Sequence, residues 1–303
     1  MSKKSNMLFQ IRNELNKETK YGESKHKAKE LAREESKRTG EPYKQVRGIY
    51  STNTYNDYVE SCKTFSIWCI KHHPEVKNIR DCEKYASEYI NDCRERKLSE
   101  WSINKYAYAI SCVYHKEIEE LGITKGVRSR ADIKRDRDAE NNRLRQSEKY
   151  DNTVRMVKAT GCRHAELLRL RKEDFRENED GTMSVFRRGK NGIERWCLVN
   201  PIYQDWVKDF VQQKETVKVN DEERLFRKNE APTKLPLHDC RATYACNLYD
   251  FYEKAGYANG DIYHCRGDLA GYSYDKGILA KGSFDLAHGR NNVVVDYLWQ
   301  SRQ

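Results

Sequence analysis

No run of apolar residues in this chain approaches the ~20 needed to span a bilayer. No apolar segment of the secretory kind follows Met1-Ser2-Lys3-Lys4-Ser5-Asn6. Both absences lead us to expect a cytoplasmic protein with no membrane partner. Ten cysteines are present but none forms a Cys-x-x-Cys pair, so they are expected to be reduced thiols rather than a disulfide framework. The spacings of His72 and His73 to these thiols do not fit a zinc site. There is also no Gly-Lys-Ser/Thr phosphate loop and no acidic cluster suited to a divalent ion, so neither ATP nor a metal is implied. Internal repeats and low-complexity tracts are missing as well.

What is present is charge. Charged residues make up 34% of the chain against 37% apolar, so the cores are lean and the surface is ionic. The net charge of +10 favours a polyanionic partner, most simply nucleic acid. At 303 residues two domains fit comfortably.

The periodicity divides the chain into four parts. Residues 1–50 read as a basic helical arm: Leu8, Ile11 and Leu15 repeat at helical spacing, and a run of charged helix formers follows around residues 25–35. Residues 51–121 read as a small bundle with Ser51 or Thr52 as the first N-cap and Ser102 capping a third helix. Tyr58, Cys62, Phe65 and Cys69 line its first face, Ile79 to Cys93 a second, and Ile103 to Ile118 a third. Its aromatics read as core, and its cysteines as small hydrophobes. Residues 122–147 are a basic linker carrying Arg128, Arg130, Lys134, Arg135, Arg137, Arg143 and Arg145. Residues 148–303 mix helices with a β-hairpin. Thr182–Phe186 and Arg195–Val199 form its strands and Gly189-Lys190-Asn191-Gly192 its turn. The fold class expected is mainly α with a small β-sheet, α+β.

Cleaving a DNA strand without a metal takes a nucleophile, positive charge for the transition state, and a proton for the departing oxygen. Tyr297 can attack as its phenolate. Arg163 and Arg241 can grip two non-bridging phosphate oxygens, because guanidinium is planar and permanently charged. His238 and His288 can donate to the phosphate or shuttle protons. Lys190, at the hairpin turn, can protonate the leaving oxygen. Taken singly, each of these residues has a duller reading as a surface ion pair, a packing ring or a solvated turn residue. The other histidines, His26, His72, His73, His115, His164 and His264, are read as structural.

The ordered set resembles the active site of the tyrosine site-specific recombinases, the phage-integrase family. The stretch from Thr160 to Leu170 matches that family's Thr-Gly-x-Arg-x-x-Glu-Leu-x-x-Leu pattern throughout. Glu166 lies one helical turn from Arg163 and can orient it. Gly189-Lys190 resembles the family's hairpin lysine, and His238-Asp239-Cys240-Arg241 its His-x-x-Arg box. Leu286-Ala287-His288, with Tyr297 nine residues on, keeps the spacing of the last box while one glycine is replaced. The resemblance implies a helical core-binding (SAM-like) domain and a catalytic domain that clamp double-stranded DNA. It implies strand exchange through a 3′-phosphotyrosine, with no cofactor because the ester keeps the bond energy. Four protomers, acting in two sequential pairs, and accessory DNA-bending or directionality factors are the implied partners. A phage or mobile element is the implied home.

Two departures stand out. The segment between Arg241 and His288 is longer than the family usually has, and its extra residues, near 264–275, suggest an added loop over DNA or at a protomer contact. Only six residues follow Tyr297, few for a C-terminal helix passed to a neighbour. Two rival readings use the same residues: a type IB topoisomerase-like nicking-closing enzyme, and a DNA-binding protein without activity.

Overall fold

The computed structural model describes residues 6–129, 143–189, 194–288 and 290–301. The chain forms two compact units, Met1–Lys134 and Arg135–Gln303. Both are rich in helix, and the strands among the described residues form small antiparallel sheets. This is the α+β class expected. Among the described residues no helix is long and apolar enough to cross a membrane.

The first unit begins with α1 (Met7–Lys17), capped by the Asn6 side chain, which accepts from the Leu8 N–H at 3.1 Å. Its stripe is thin, yet Ile11 and Leu15 are wholly buried and belong to the unit's main core. The arm reading therefore does not describe residues 7–17. Polar ties reinforce the docking. Gln10 Oε1 accepts from the Ile79 N–H at 2.8 Å. His115 lies 3.0 Å from Glu14 and 2.6 Å from Glu18. Helix α2 (Lys25–Thr39), by contrast, buries no residue.

Helix α3 (Thr52–His72) starts at Ser51, whose Oγ accepts from the Thr54 N–H at 3.2 Å. The second face is not one helix but α4 (Ile79–Cys82), a 3-10 turn (Glu83–Tyr85) and α5 (Ala86–Glu95). Helix α6 (Glu100–Tyr114) is capped by Ser99 rather than Ser102, which instead supplies the N–H that Ser99 accepts. It stops at His115, where φ is +54°, so Ile118 reaches the core from beyond the helix. Cys62, Phe65, Cys69, Cys82, Tyr89 and Cys93 are all core, as their spacing predicts.

The second unit opens with α7 (Asp151–Thr160) and the one-turn α8 (His164–Leu167). A three-stranded antiparallel sheet follows, β1 (Phe175–Glu177), β2 (Met183–Arg188) and β3 (Glu194–Leu198), in that order. The hairpin strands are those read from the sequence, shifted by one or two residues, whereas β1 carries no clear sequence signal. In the hairpin Arg187 pairs with Arg195. Alternation puts Met183, Val185 and Arg187 on one face of β2, and all three are buried. Next come α9 (Gln204–Gln213) and a small pair, β4 (Val217–Val219) and β5 (Glu222–Arg224). The chain then forms the long α10 (Leu237–Lys254), a second pair β6 (Ile262–His264) and β7 (Ser273–Asp275), α11 (Lys276–Asp285) and α12 (Asn292–Ser301).

The long segment after Arg241 is built into the unit rather than left as a free loop. Cys265 and Leu269 are buried, and Tyr274 packs edge-on against Tyr249 of α10 at 5.7 Å between ring centres. Asp275 caps α11 through the Ile278 N–H at 3.1 Å and also accepts from the Asn259 and Gly260 N–H groups.

Candidate active site

Two helix ends shape the site. Helix α7 stops at Gly161, whose φ of +60° is the left-handed conformation glycine favours, and its N–H bonds back to the Val157 carbonyl at 2.8 Å. The chain turns sharply, buries Cys162, and presents Arg163 as the N-cap of α8. Helix α11 ends in a Schellman motif. The His288 N–H reaches the Ser283 carbonyl at 2.8 Å, and the Ala287 N–H reaches the Phe284 carbonyl at 2.9 Å. Ala287 holds the left-handed position with φ +51°. That geometry explains why a glycine suits the middle of the Leu-x-His box.

Arg241, in the second turn of α10, joins the two ends. It is buried, with one guanidinium nitrogen donating to the Gly161 carbonyl and the other to the Leu286 carbonyl. These are carbonyls left without partners at helix C-termini, where a cation is favoured. The Nε N–H points to Tyr297 Oη at 3.1 Å. The phenol of α12 is thus held by Arg241 of the same chain, and its ring is buried.

His288 lies between the two arginines. Its Nε2 is 3.1 Å from Arg241 Nη2 and 3.4 Å from Arg163 Nη2. Guanidinium groups only donate, so Nε2 accepts and the neutral ring carries its proton on Nδ1. Burial first, then Arg241, Arg163 and Arg187, push His288 down to about 4. Burial and the charges of Arg187 and Arg163 also draw Arg241 down to about 10, against a smaller opposing pull from Tyr297.

Glu166 orients Arg163 twice, accepting from its backbone N–H at 2.9 Å and from Nη1 at 2.6 Å. Burial alone would raise this carboxyl, but the Arg187 charge and the Arg163 donors outweigh it and hold it to about 2. His238, three residues before Arg241, is exposed, with its ring centre 5.2 Å from that of Tyr297. Arg163, Glu166, His238, Arg241, His288 and Tyr297 are therefore gathered in one place. Lys190 lies outside the described residues. The sequence reading missed Arg187, wholly buried and paired with Glu166. Its signal was its position, two residues beyond Val185 on the inward face of a strand. Among the described residues no three His, Cys, Asp or Glu side chains gather as a metal site.

No protein-family model matches the chain, and no curated protein matches it in sequence. Solved structures do resemble it in shape. A XerH site-specific recombinase bound to palindromic difH substrate, in a post-cleavage complex, aligns over 97% of this chain and 92% of its own at 17% identity and a TM-score of 0.53. The same recombinase in a pre-cleavage complex with difH aligns over the same shares at 16% identity and 0.48. A XerA recombinase aligns over 88% and 92% at 15% identity and 0.32. Near-complete coverage in both directions by the first of these, together with the mainly helical architecture, shows that this chain has the fold of the tyrosine site-specific recombinases.

Proposed function

We propose that the protein is a site-specific DNA recombinase or integrase of a phage or mobile element, acting in the cytoplasm. One observation carries the reading. Segments far apart in sequence bring two guanidinium groups and a histidine together beside the Tyr297 phenol, with Arg241 reaching both Tyr297 and His288.

In the proposed reaction Arg163 and Arg241 hold the scissile phosphate, and preorganised charge there favours the transition state. Tyr297 Oη gives up its proton to solvent and attacks phosphorus as the phenolate, its negative charge stabilised by the N–H donated from Arg241. The P–O5′ bond breaks, and a 3′-phosphotyrosine and a 5′ hydroxyl result. Lys190 is proposed to give the leaving oxygen its proton, with His238 assisting at the phosphate. His288, neutral beforehand, takes up a proton as the phosphate anion arrives and then donates to it. A 5′ hydroxyl of a partner strand attacks the ester and releases Tyr297, so no cofactor or metal is called for.

We read residues 51–121 as the core-binding DNA domain, 122–147 as a basic linker and 148–303 as the catalytic domain. The net charge of +10 supports double-stranded DNA as partner. For strand exchange the proposed assembly is a tetramer on two DNA sites, with accessory DNA-bending or directionality factors as further partners.

The test is covalent capture from a random-sequence pool of nicked duplexes that trap the cleaved state. Wild type is expected to yield a protein–DNA adduct, and Tyr297→Phe none while still binding DNA. Equal adduct from both proteins would remove Tyr297 as nucleophile. Relaxation of a one-site plasmid without recombination of a two-site plasmid would favour the topoisomerase-like rival.

A further inference from the structure

Arg187 takes no part in the proposed chemistry, yet among the described residues it shares with Arg241 the place of largest fully buried side chain. An ionised group there is costly unless it is paired and hydrogen-bonded, and since the Arg187 Nε finds no hydrogen-bond partner the two terminal nitrogens must offset that cost. Its partners form a pattern. Nη2 pairs with Glu166 Oε2, and Nη1 donates to the Asp285 carbonyl at 2.7 Å and reaches the Thr160 carbonyl at 3.4 Å. Arg241 takes the carbonyls of Gly161 and Leu286. The two arginines thus grip consecutive residues at the ends of the same two helices, α7 and α11. Arg187 forms a lower tier and Arg241 the tier that meets Tyr297 and His288.

The pairing with Glu166 has a second consequence. Arg163 Nη1 holds Oε1 of that carboxylate, while Arg187 occupies Oε2. Arg163 is thereby kept from a two-point pairing with the carboxylate, which would absorb its charge. Of the groups near His288, Arg163, Arg187 and Arg241 are positive and Glu166 is negative. Removing Arg187 would take the local sum from +2 to +1.

We propose that Arg187 is a positioning residue for phosphodiester cleavage. It compensates Glu166, so that Arg163 is aimed without being neutralised, and it fixes the helix ends that set Arg241 and His288. This rests on the recombinase reading given above. Arg187 also stands three residues ahead of Lys190 in the sequence.

The experiment uses the full chain and the nicked duplex that wild type captures from the random pool. Arg187→Met is expected to slow adduct formation about 100-fold, and Arg187→Lys, which keeps the charge but not the fork, about tenfold. Binding of the same duplex should change by less than about threefold, because phosphate contacts elsewhere dominate affinity. In a Glu166→Gln background, where no carboxylate needs compensating, Arg187→Met should cost at least about tenfold less than in wild type.

The His288 titration, followed by NMR in the free protein and assigned with His288→Gln, should move up towards the ordinary histidine range in Arg187→Met. A packing role alone would leave that midpoint in place. A folded Arg187→Met within about threefold of the wild-type rate, or an unmoved His288 midpoint, overturns the proposal. If Arg187→Met does not fold, Arg187→Lys decides, and wild-type speed overturns. If wild type captures no DNA, the recombinase reading is what has failed. The His288 midpoint then judges by itself whether the Arg187 charge reaches the site.

Discussion

The two units treat charge in opposite ways. Among the described residues the first unit buries only uncharged polar side chains, Ser61, Ser66, Asn104 and Ser111, within a core of aliphatics, aromatics and thiols. The second buries Glu166, Asp174, Arg187, Arg241, Asp275 and Asp285. Buried ion pairs rarely add stability over an apolar core of the same shape. A unit that carries several has given up the simpler solution, and here part of the set surrounds a single phenol. The ion pairs described in the first unit all keep some exposure, as with Lys17 and Glu14 at 2.6 Å, where the lysine is 61% exposed.

The contrast breaks most visibly at Arg241. Arg241→Met should abolish adduct formation and destabilise the second unit by about 3–5 kcal/mol, since it leaves the buried Gly161 and Leu286 carbonyls without their donors. Lys17→Ala in the first unit should cost about 0–1 kcal/mol. Urea unfolding followed by hydrogen exchange in each unit measures both, and equal losses would erase the distinction.

Gly161→Ala comes next. Its φ of +60° disfavours any Cβ, and a methyl group there would collide with the Tyr244 ring. A loss of about 3 kcal/mol is expected, combining backbone strain with overpacking. Chemical denaturation reads it, and a loss near zero would mean the α7 end relaxes freely.

pH should separate the units by sign. The folded pKa of His288, about 4, lies below its ordinary 6.5, so the unfolded chain binds more protons between those values. Stability of the second unit is full above 6.5 and falls as pH drops towards 4. After discounting for partial exposure the loss is about 1–2 kcal/mol. His115 in the first unit goes the other way. Burial works to lower it, but Glu18 and Glu14 outweigh that and raise it. Its contribution is full below the ordinary histidine value and fades as pH climbs through the raised one. Hydrogen exchange at pH 5 and at pH 8 should show the second unit loosening at the lower value and α1 loosening at the higher. Parallel trends would show that these histidines do not govern the difference.

The smallest effect concerns two helix ends of similar geometry. Ala287, with φ +51°, has no side chain to offset its strain, so Ala287→Gly should gain about 0.5–1 kcal/mol. His115, with φ +54°, is held by two carboxylates, so His115→Gly should lose stability despite the easier backbone. Thermal melts compare the pair.

Much of this was legible beforehand. Helical periodicity marked the buried face of α3, the Asn-Gly turn announced the hairpin, and the spacing from Arg163 to Tyr297 named residues that do come together. Three things were not. The stripe of α1 looked too sparse to belong to a core, because two buried side chains suffice only when a groove waits for them. Ser99 displaced Ser102 as a cap because the helix starts earlier than its apolar face. Arg187 looked like any surface arginine until the strand's alternation was read through to its end.

The chain's own order of residues determined which chemical groups exist, how far apart they stand along each helix, and where glycine permits a left-handed turn, because these are properties of local backbone geometry. Only the tertiary structure decided that the ends of α7 and α11 abut, that two buried arginines take their unpaired carbonyls in turn, and that His288 is pushed towards its neutral form. Those outcomes depend on desolvation and on charges brought together from distant segments.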